Sequence, residues 1–182
     1  MQDNHYLVPQ NTAGVATDIT HSMPAETTED AEDLFVDAKD RLLDVNNWAK
    51  YGNLSRVHFR LADHHGHPVS RHMRRTDHIV IHIDGSDNAA DVDWFTIDAL
   101  EYDDYPDQNA ETFAIRLSPT QQSGSVASTA GTDTSTIVVE RQGISLIATY
   151  HGRNNITDES DVWHGLDVKE WQQLMNGLLE YF

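Results

Sequence analysis

The chain has 182 residues, 30 acidic against 12 basic side chains, a net charge of -18 with histidine neutral, and no cysteine. That length suits one domain with a core of its own, the missing thiols exclude disulfides, thiolate metal sites and a cysteine nucleophile, and the charge repels nucleic-acid phosphates and anionic lipid. No apolar run approaches the roughly 20 residues of a membrane span, and the first thirty residues lack the basic and apolar regions of an export signal. A cytoplasmic protein with no nucleic-acid and no membrane partner is the expectation.

Residues 1–26 are polar and read as a mobile tail, with a short strand at residues 5–8 as the alternative. Residues 27–182 read as a single α+β domain. From residue 28 to residue 50 the apolar positions Ala31, Leu34, Phe35, Ala38, Leu42, Val45 and Ala49 recur at helical spacing, which predicts an amphipathic helix with Thr28 as its cap. Its other face carries Asp30, Asp33, Asp37, Asp40 and Asp44, and like charges at these spacings cost a few tenths of a kcal/mol per pair. That stripe is a solvated face or a docking surface for a basic segment or partner. Gly52 or Asn53 can supply the left-handed residue that ends the helix.

Val57, Phe59 and Leu61 alternate with Arg56, His58 and Arg60, the pattern of a half-buried strand, and residues 63–68 turn back. Ile79, Ile81 and Ile83 alternate with His78, Val80 and His82, and a turn through Asp84 and Gly85 leads to a partner strand from Val92 to Ile97. Phe113, Ile115 and Leu117 mark a further strand. Residues 118–135 are rich in Ser, Thr, Gly and Gln and read as a flexible loop. A hairpin follows, with Gln142-Gly143 as its two-residue loop, which pairs Val139 with Leu146 and Ile137 with Ala148. Asp167 and Glu170 form a capping box before a last helix whose buried stripe is Trp171, Leu174, Met175, Leu178 and Phe182. The predicted fold is a curved antiparallel sheet of about six strands with an N-terminal and a C-terminal amphipathic helix.

Seven of the eleven histidines lie in residues 56–82, the one basic segment. His64, His65 and His67 at a turn tip suit opportunistic nickel or zinc, but a closed metal site needs three or four ligands on a rigid frame, so no metal and no cofactor is expected. His78 and His82 share a strand face about 13 Å apart at ~3.3 Å per residue, too far to hold one ion but able to line one pocket with Asp84 and Trp94. There is no nucleophile elbow, phosphate-binding glycine loop or zinc-protease helix. Arg116, Arg141 and Arg153 sit among carboxylates, where arginine pairs more often than it binds anions.

Asn47-Trp48-Ala49-Lys50-Tyr51, Phe59-Arg60-Leu61-Ala62-Asp63, Asp93-Trp94 and Gly152-Arg153-Asn154 resemble the segments of a group of uncharacterised bacterial proteins over residues 30–180. Their pattern has Gly-Asp where this chain has Thr76-Asp77. The resemblance implies no activity. The order of helix, strands and helix is also similar to the START-like helix-grip fold of lipid carriers and polyketide cyclases.

Three readings follow. The first is a non-catalytic module that binds a small apolar ligand near His78, His82, Trp94 and Asp84. The second is an interaction protein, or a homodimer, that uses Asp33, Asp37, Asp40 and Asp44. The third is a cyclase- or hydrolase-type enzyme with a His/Asp pocket.

Overall fold

The computed structural model describes residues 5–85, 92–120, 133–155, 162–163 and 166–181. It is α+β: one curved antiparallel sheet carries helices from both ends of the sequence. The elements are β1 (Val15–Pro24), α1 (Thr28–Leu43), a short α2 (Trp48–Tyr51), β2 (Val57–Ala62), β3 (His78–Ile83), β4 (Val92–Tyr105), β5 (Ala110–Pro119), β6 (Thr134–Gln142), β7 (Ser145–Asn155), a two-residue pair β8 (Val162–Trp163) and β9 (Leu166–Asp167), and α3 (Val168–Glu180). The main sheet has seven strands in the order β1-β7-β6-β5-β4-β3-β2. Every neighbour from β2 to β7 is also a neighbour in sequence, so the alternating patterns pair in the order in which they occur.

One face of the sheet is covered by the helices. Phe59, Leu61, Ile79, Ile97, Ile115, Ile137, Val139 and Leu146 meet Phe35, Leu42, Trp48, Trp171, Leu174 and Leu178 there in a single buried cluster. Burying side chains of this size is worth about 1.5–3 kcal/mol each. Tyr150 stacks on Trp171 at 4.1 Å between ring centroids, and its hydroxyl shares a hydrogen bond with Ser135 at 2.9 Å, so its polar end is satisfied inside the core. The capping box at the start of α3 forms as expected: Asp167 accepts from the Glu170 amide and Glu170 accepts from the Asp167 amide. Phe182 lies outside the described residues.

Several expectations are corrected. The segment read as a tail contains β1, which pairs with β7 at the sheet edge. Thr27, not Thr28, caps α1, its hydroxyl accepting from the Asp30 amide. The helix expected through residue 50 breaks at Asp44, whose backbone leaves the helical region while its carboxylate accepts from the Asn47 side chain at 2.8 Å and the Tyr51 hydroxyl at 2.5 Å. Such local bonds compete with the helical ladder. Asn53, at φ 51°, is the left-handed residue after α2. The last hairpin turns at Gly143-Ile144 rather than Gln142-Gly143, so Val139 pairs with Ala148 and Ile137 with Tyr150. Glycine at the first loop position, with φ 58°, is what a type II′ turn requires. The register moves by two residues, which leaves every side chain on its expected face. Of the loop expected at 118–135, residues 121–132 lie outside the described residues, and both ends belong to strands.

The other face of the sheet is crossed by residues 5–14. Leu7 packs on Ala99, Ala114 and Val138, and Asn154, left-handed at φ 60°, ties the crossing down. Its side-chain oxygen accepts from the Thr12 amide at 2.7 Å and the Ala13 amide at 3.2 Å, and its own amide donates to Asn11 at 2.7 Å. The Gly152-Arg153-Asn154 segment thus serves as a clamp. Asn154→Ala should cost about 2–3 kcal/mol through the stranded amides and a left-handed alanine. Hydrogen exchange should quicken first at residues 7–14 and over Ala114 and Val138; unchanged protection there would show that the clamp holds nothing.

Candidate functional site

The bulge between Ile97 and Ala99 builds the site. It inserts Asp98 into β4, so that Asp98 lies beside Arg116 of β5, 3.8 Å from its guanidinium, and accepts from the Ser118 hydroxyl at 2.7 Å. An extra residue at a bulge re-aims side chains in this way. With Thr96, Thr134, Pro119 and Pro9 of the crossing segment, these residues line a cleft of about 490 Å³ on the face away from the helices. Thr134 is 7% exposed, and its hydroxyl has no hydrogen-bond partner among the described residues. An unsatisfied buried hydroxyl costs on the order of 1–3 kcal/mol. An incoming acceptor or donor would recover that cost.

The four residues predicted to line one pocket all lie at or beyond this face, but the structure divides them. His78 and Trp94 are neighbours, their rings 5.9 Å apart and edge to face. The His78 ring faces the hydroxyls of Thr96 and Thr120 at 3.3 Å each, and those hydroxyls bond each other at 2.9 Å. His78 and Trp94 therefore adjoin the cleft through Thr96. His82 and Asp84 lie at the other end of β3 with His58, which is 3.0 Å from Asp84. His64, His65 and His67 sit on a turn whose amides at residues 65 and 67 donate to Asp63 at 2.9 Å each, and a Cβ at Gly66 there would lie 3.8 Å from the edge of the Trp94 ring.

Two further clefts stand out among the described residues. One of about 380 Å³ runs between Met23, Pro24 and Leu34, with Glu26, Asp30 and Asp33 around it; another of about 370 Å³ lies between α2 and α3. Asp33, Asp37 and Asp40 are exposed. Asp44, the fourth predicted interaction residue, is taken up by the Tyr51 bond, and burial together with that bond pushes the Tyr51 hydroxyl up to about 12.

At the edge of the outer face, Asp18 receives Arg153 at 2.8 Å and His151 at 2.6 Å. Partial burial opposes charge on Asp18, but the bonds from Arg153 and His151 overcome it and hold the carboxyl below its usual range. Burial lowers His151, against the pull of Asp18. These bonds tie β1 to β7 at the level where β1 crosses Gly152.

No family model and no curated protein matches this sequence. The chain is similar in structure to a hypothetical protein from Helicobacter pylori, at 12% identity and a TM-score of 0.52, over 91% of this chain and 87% of the other. It also aligns with a protein from Mycobacterium smegmatis (13% identity, TM-score 0.46, 94% of each chain) and with a major latex-like protein from Panax ginseng (10% identity, TM-score 0.41, 91% and 93%). The likeness to the first concerns the fold alone. No described helix is long and apolar enough to cross a membrane.

The sequence points to the cleft only in fragments. Arg116 reads as an arginine turned away from the core, and Thr96, Asp98, Ser118 and Thr134 carry no motif. They converge because β4 bulges and because β5 pairs with both β4 and β6, and neither fact is written in local spacing.

Proposed function

We propose that this chain is a non-catalytic binding module that holds a small anionic molecule in the cleft between β4, β5, β6 and residue 9. The observation that carries this reading is the Thr134 hydroxyl, buried in the same cleft as Arg116 and without a hydrogen-bond partner among the described residues. Arg116 offers a planar pair of donors to a carboxylate or phosphate, Thr134 offers one more, and Asp98 accepts from a donor group on the same molecule. His78 and Trp94 border the entrance through Thr96. The size falls within the 300–1,000 Å³ usual for small-ligand sites. The expected apolar ligand fits less well, because the helix-covered side of the described sheet is filled by Phe35, Trp48, Tyr150 and Trp171.

A panel of small carboxylates and phosphates, screened by ligand-observed NMR, tests the proposal. Arg116→Ala should weaken a hit at least tenfold, the size expected when a charged hydrogen bond is lost, and Thr134→Val should weaken it several-fold. Equal binding by the wild type and both variants would sink it.

The acidic groove beside α1 favours a second reading, a partner segment that is basic and apolar. Val36 is 46% exposed among Asp33, Asp37 and Asp40. A complex that is lost in moderate salt and weakened by Asp37→Asn with Asp40→Asn would support it; indifference to both would remove it.

A further inference from the structure

We propose that His58, His82 and Asp84 form a binding site for a divalent transition metal ion such as zinc. His58 and His82 are directly opposite each other on the antiparallel pair β2–β3, and Asp84 follows two residues later on the same ribbon. Directly paired residues bring their Cβ atoms within about 5 Å, which two positions four apart on one strand cannot do. The His58 Nε2 atom is 3.0 Å from Asp84 Oδ2, His82 Nδ1 is 3.9 Å from Asp84 Oδ1, and one donor atom from each residue lies within 4.8 Å of the other two. Donors around a zinc ion at 2.0–2.2 Å stand roughly 3.3 Å apart, so modest rotation of three exposed side chains closes the set.

The donors have the right chemistry. Two imidazoles and a carboxylate suit zinc, nickel, cobalt or copper rather than magnesium or calcium, which take oxygen ligands. His58 is the hydrogen-bond partner of the Asp84 carboxylate among the described residues. Arg56, which could have competed for the carboxylate from the start of β2, is instead turned to Glu170. The frame is rigid, since β3 is bonded on both sides, to β2 and to β4. Three protein donors leave at least one position for water or a further ligand. Among the described residues the His-rich turn at 64–67 does not gather three donors in this way, although its histidines are more numerous.

Zinc titration of the untagged full chain, followed by calorimetry and native mass spectrometry, tests the site. The decisive background is His64→Ala/His65→Ala/His67→Ala, which removes the competing turn. One zinc ion should still bind that variant, with a dissociation constant on the order of 10 µM or tighter, as a surface site with three ligands allows. Adding His58→Ala and His82→Ala should weaken binding at least tenfold, and Asp84→Asn alone should weaken it several-fold. All of these side chains are exposed, so unfolding midpoints should stay within a few degrees, which separates loss of the site from loss of the fold. Zinc binding that disappears with the turn histidines, or that survives removal of His58 and His82, overturns the proposal. So does the absence of binding below about 1 mM.

Discussion

Gly177→Ala is expected to destabilise the protein by about 3 kcal/mol, although alanine is intrinsically the better helix former by ~1 kcal/mol. Gly177 lies in the middle of α3, where that helix crosses the end of α2. A Cβ at this position would sit 2.0 Å from the Tyr51 carbonyl oxygen, 2.4 Å from its carbon and 2.9 Å from the Gly52 nitrogen. All three are backbone atoms, so no rotamer change relieves the clash and one helix must move. If α3 moves, it carries Trp171, Leu174, Met175 and Leu178 out of register with the sheet. Urea unfolding of Gly177→Ala beside Gln173→Ala, which should lie within about 0.5 kcal/mol of wild type, measures the effect. Equal midpoints for the two variants would show that the helices do not meet through residue 177.

Arg141→Ala is expected to cost about 3–5 kcal/mol, the range for removing one member of a buried ion pair. The Arg141 side chain is 5% exposed and that of Glu111 14%. Its guanidinium donates twice to Glu111, at 2.9 and 2.8 Å, and also to the Asn109 side chain at 2.9 Å and the Gly143 carbonyl at 3.1 Å. One side chain therefore fastens the β4–β5 turn to the β6–β7 turn at a single end of the sheet. The alanine variant leaves a nearly buried carboxylate with no cation and two turns with open carbonyls. Removing Glu111 as well should recover part of the loss, because the stranded charge goes with it. A double variant that loses the sum of the two single changes would mean that the pair is not coupled.

How far the sequence anticipates the structure depends on where the information sits. The hairpins from β2 to β7 and the capping box of α3 are local patterns with a buried face, and they read correctly apart from a two-residue register slip at Gly143 and the second half of β4, which bulges at Asp98 and runs on to Tyr105 instead of ending at Ile97. β1 escapes because only Ile19 in it is buried; a strand at the sheet edge made of Thr, Ser, Asp and His has no apolar alternation to show. The break at Asp44 escapes because the apolar spacing runs on to Val45 and Trp48 while side-chain bonds bend the backbone beneath it.

Thr76 sits in a backbone conformation that is strained for its side chain. Its φ is 76°, a conformation that glycine adopts freely and a β-branched residue does not. This chain keeps the turn through Asp77, which is 3% exposed and accepts from Arg71 at 2.6 and 3.0 Å and from the Arg74 amide at 2.7 Å.

The candidate sites were the least legible part. Pocket-lining residues come from β4, β5, β6 and the N-terminal crossing, and the metal-site histidines from two strands 24 positions apart, so each depends on cross-strand register. His78, His82, Trp94 and Asp84 share a face by strand alternation, but in the folded chain they adjoin two different sites.

Amide chemical-shift mapping with the tightest carboxylate or phosphate found in the screen locates the bound ligand on the protein. The largest shifts are expected at Thr96, Asp98, Arg116, Ser118 and Thr134, with smaller ones at His78 and Trp94. Shifts concentrated instead at Phe35, Tyr150 and Trp171, or along Asp33 and Asp37, would contradict the proposed site and place the ligand beneath the helices or on the acidic face.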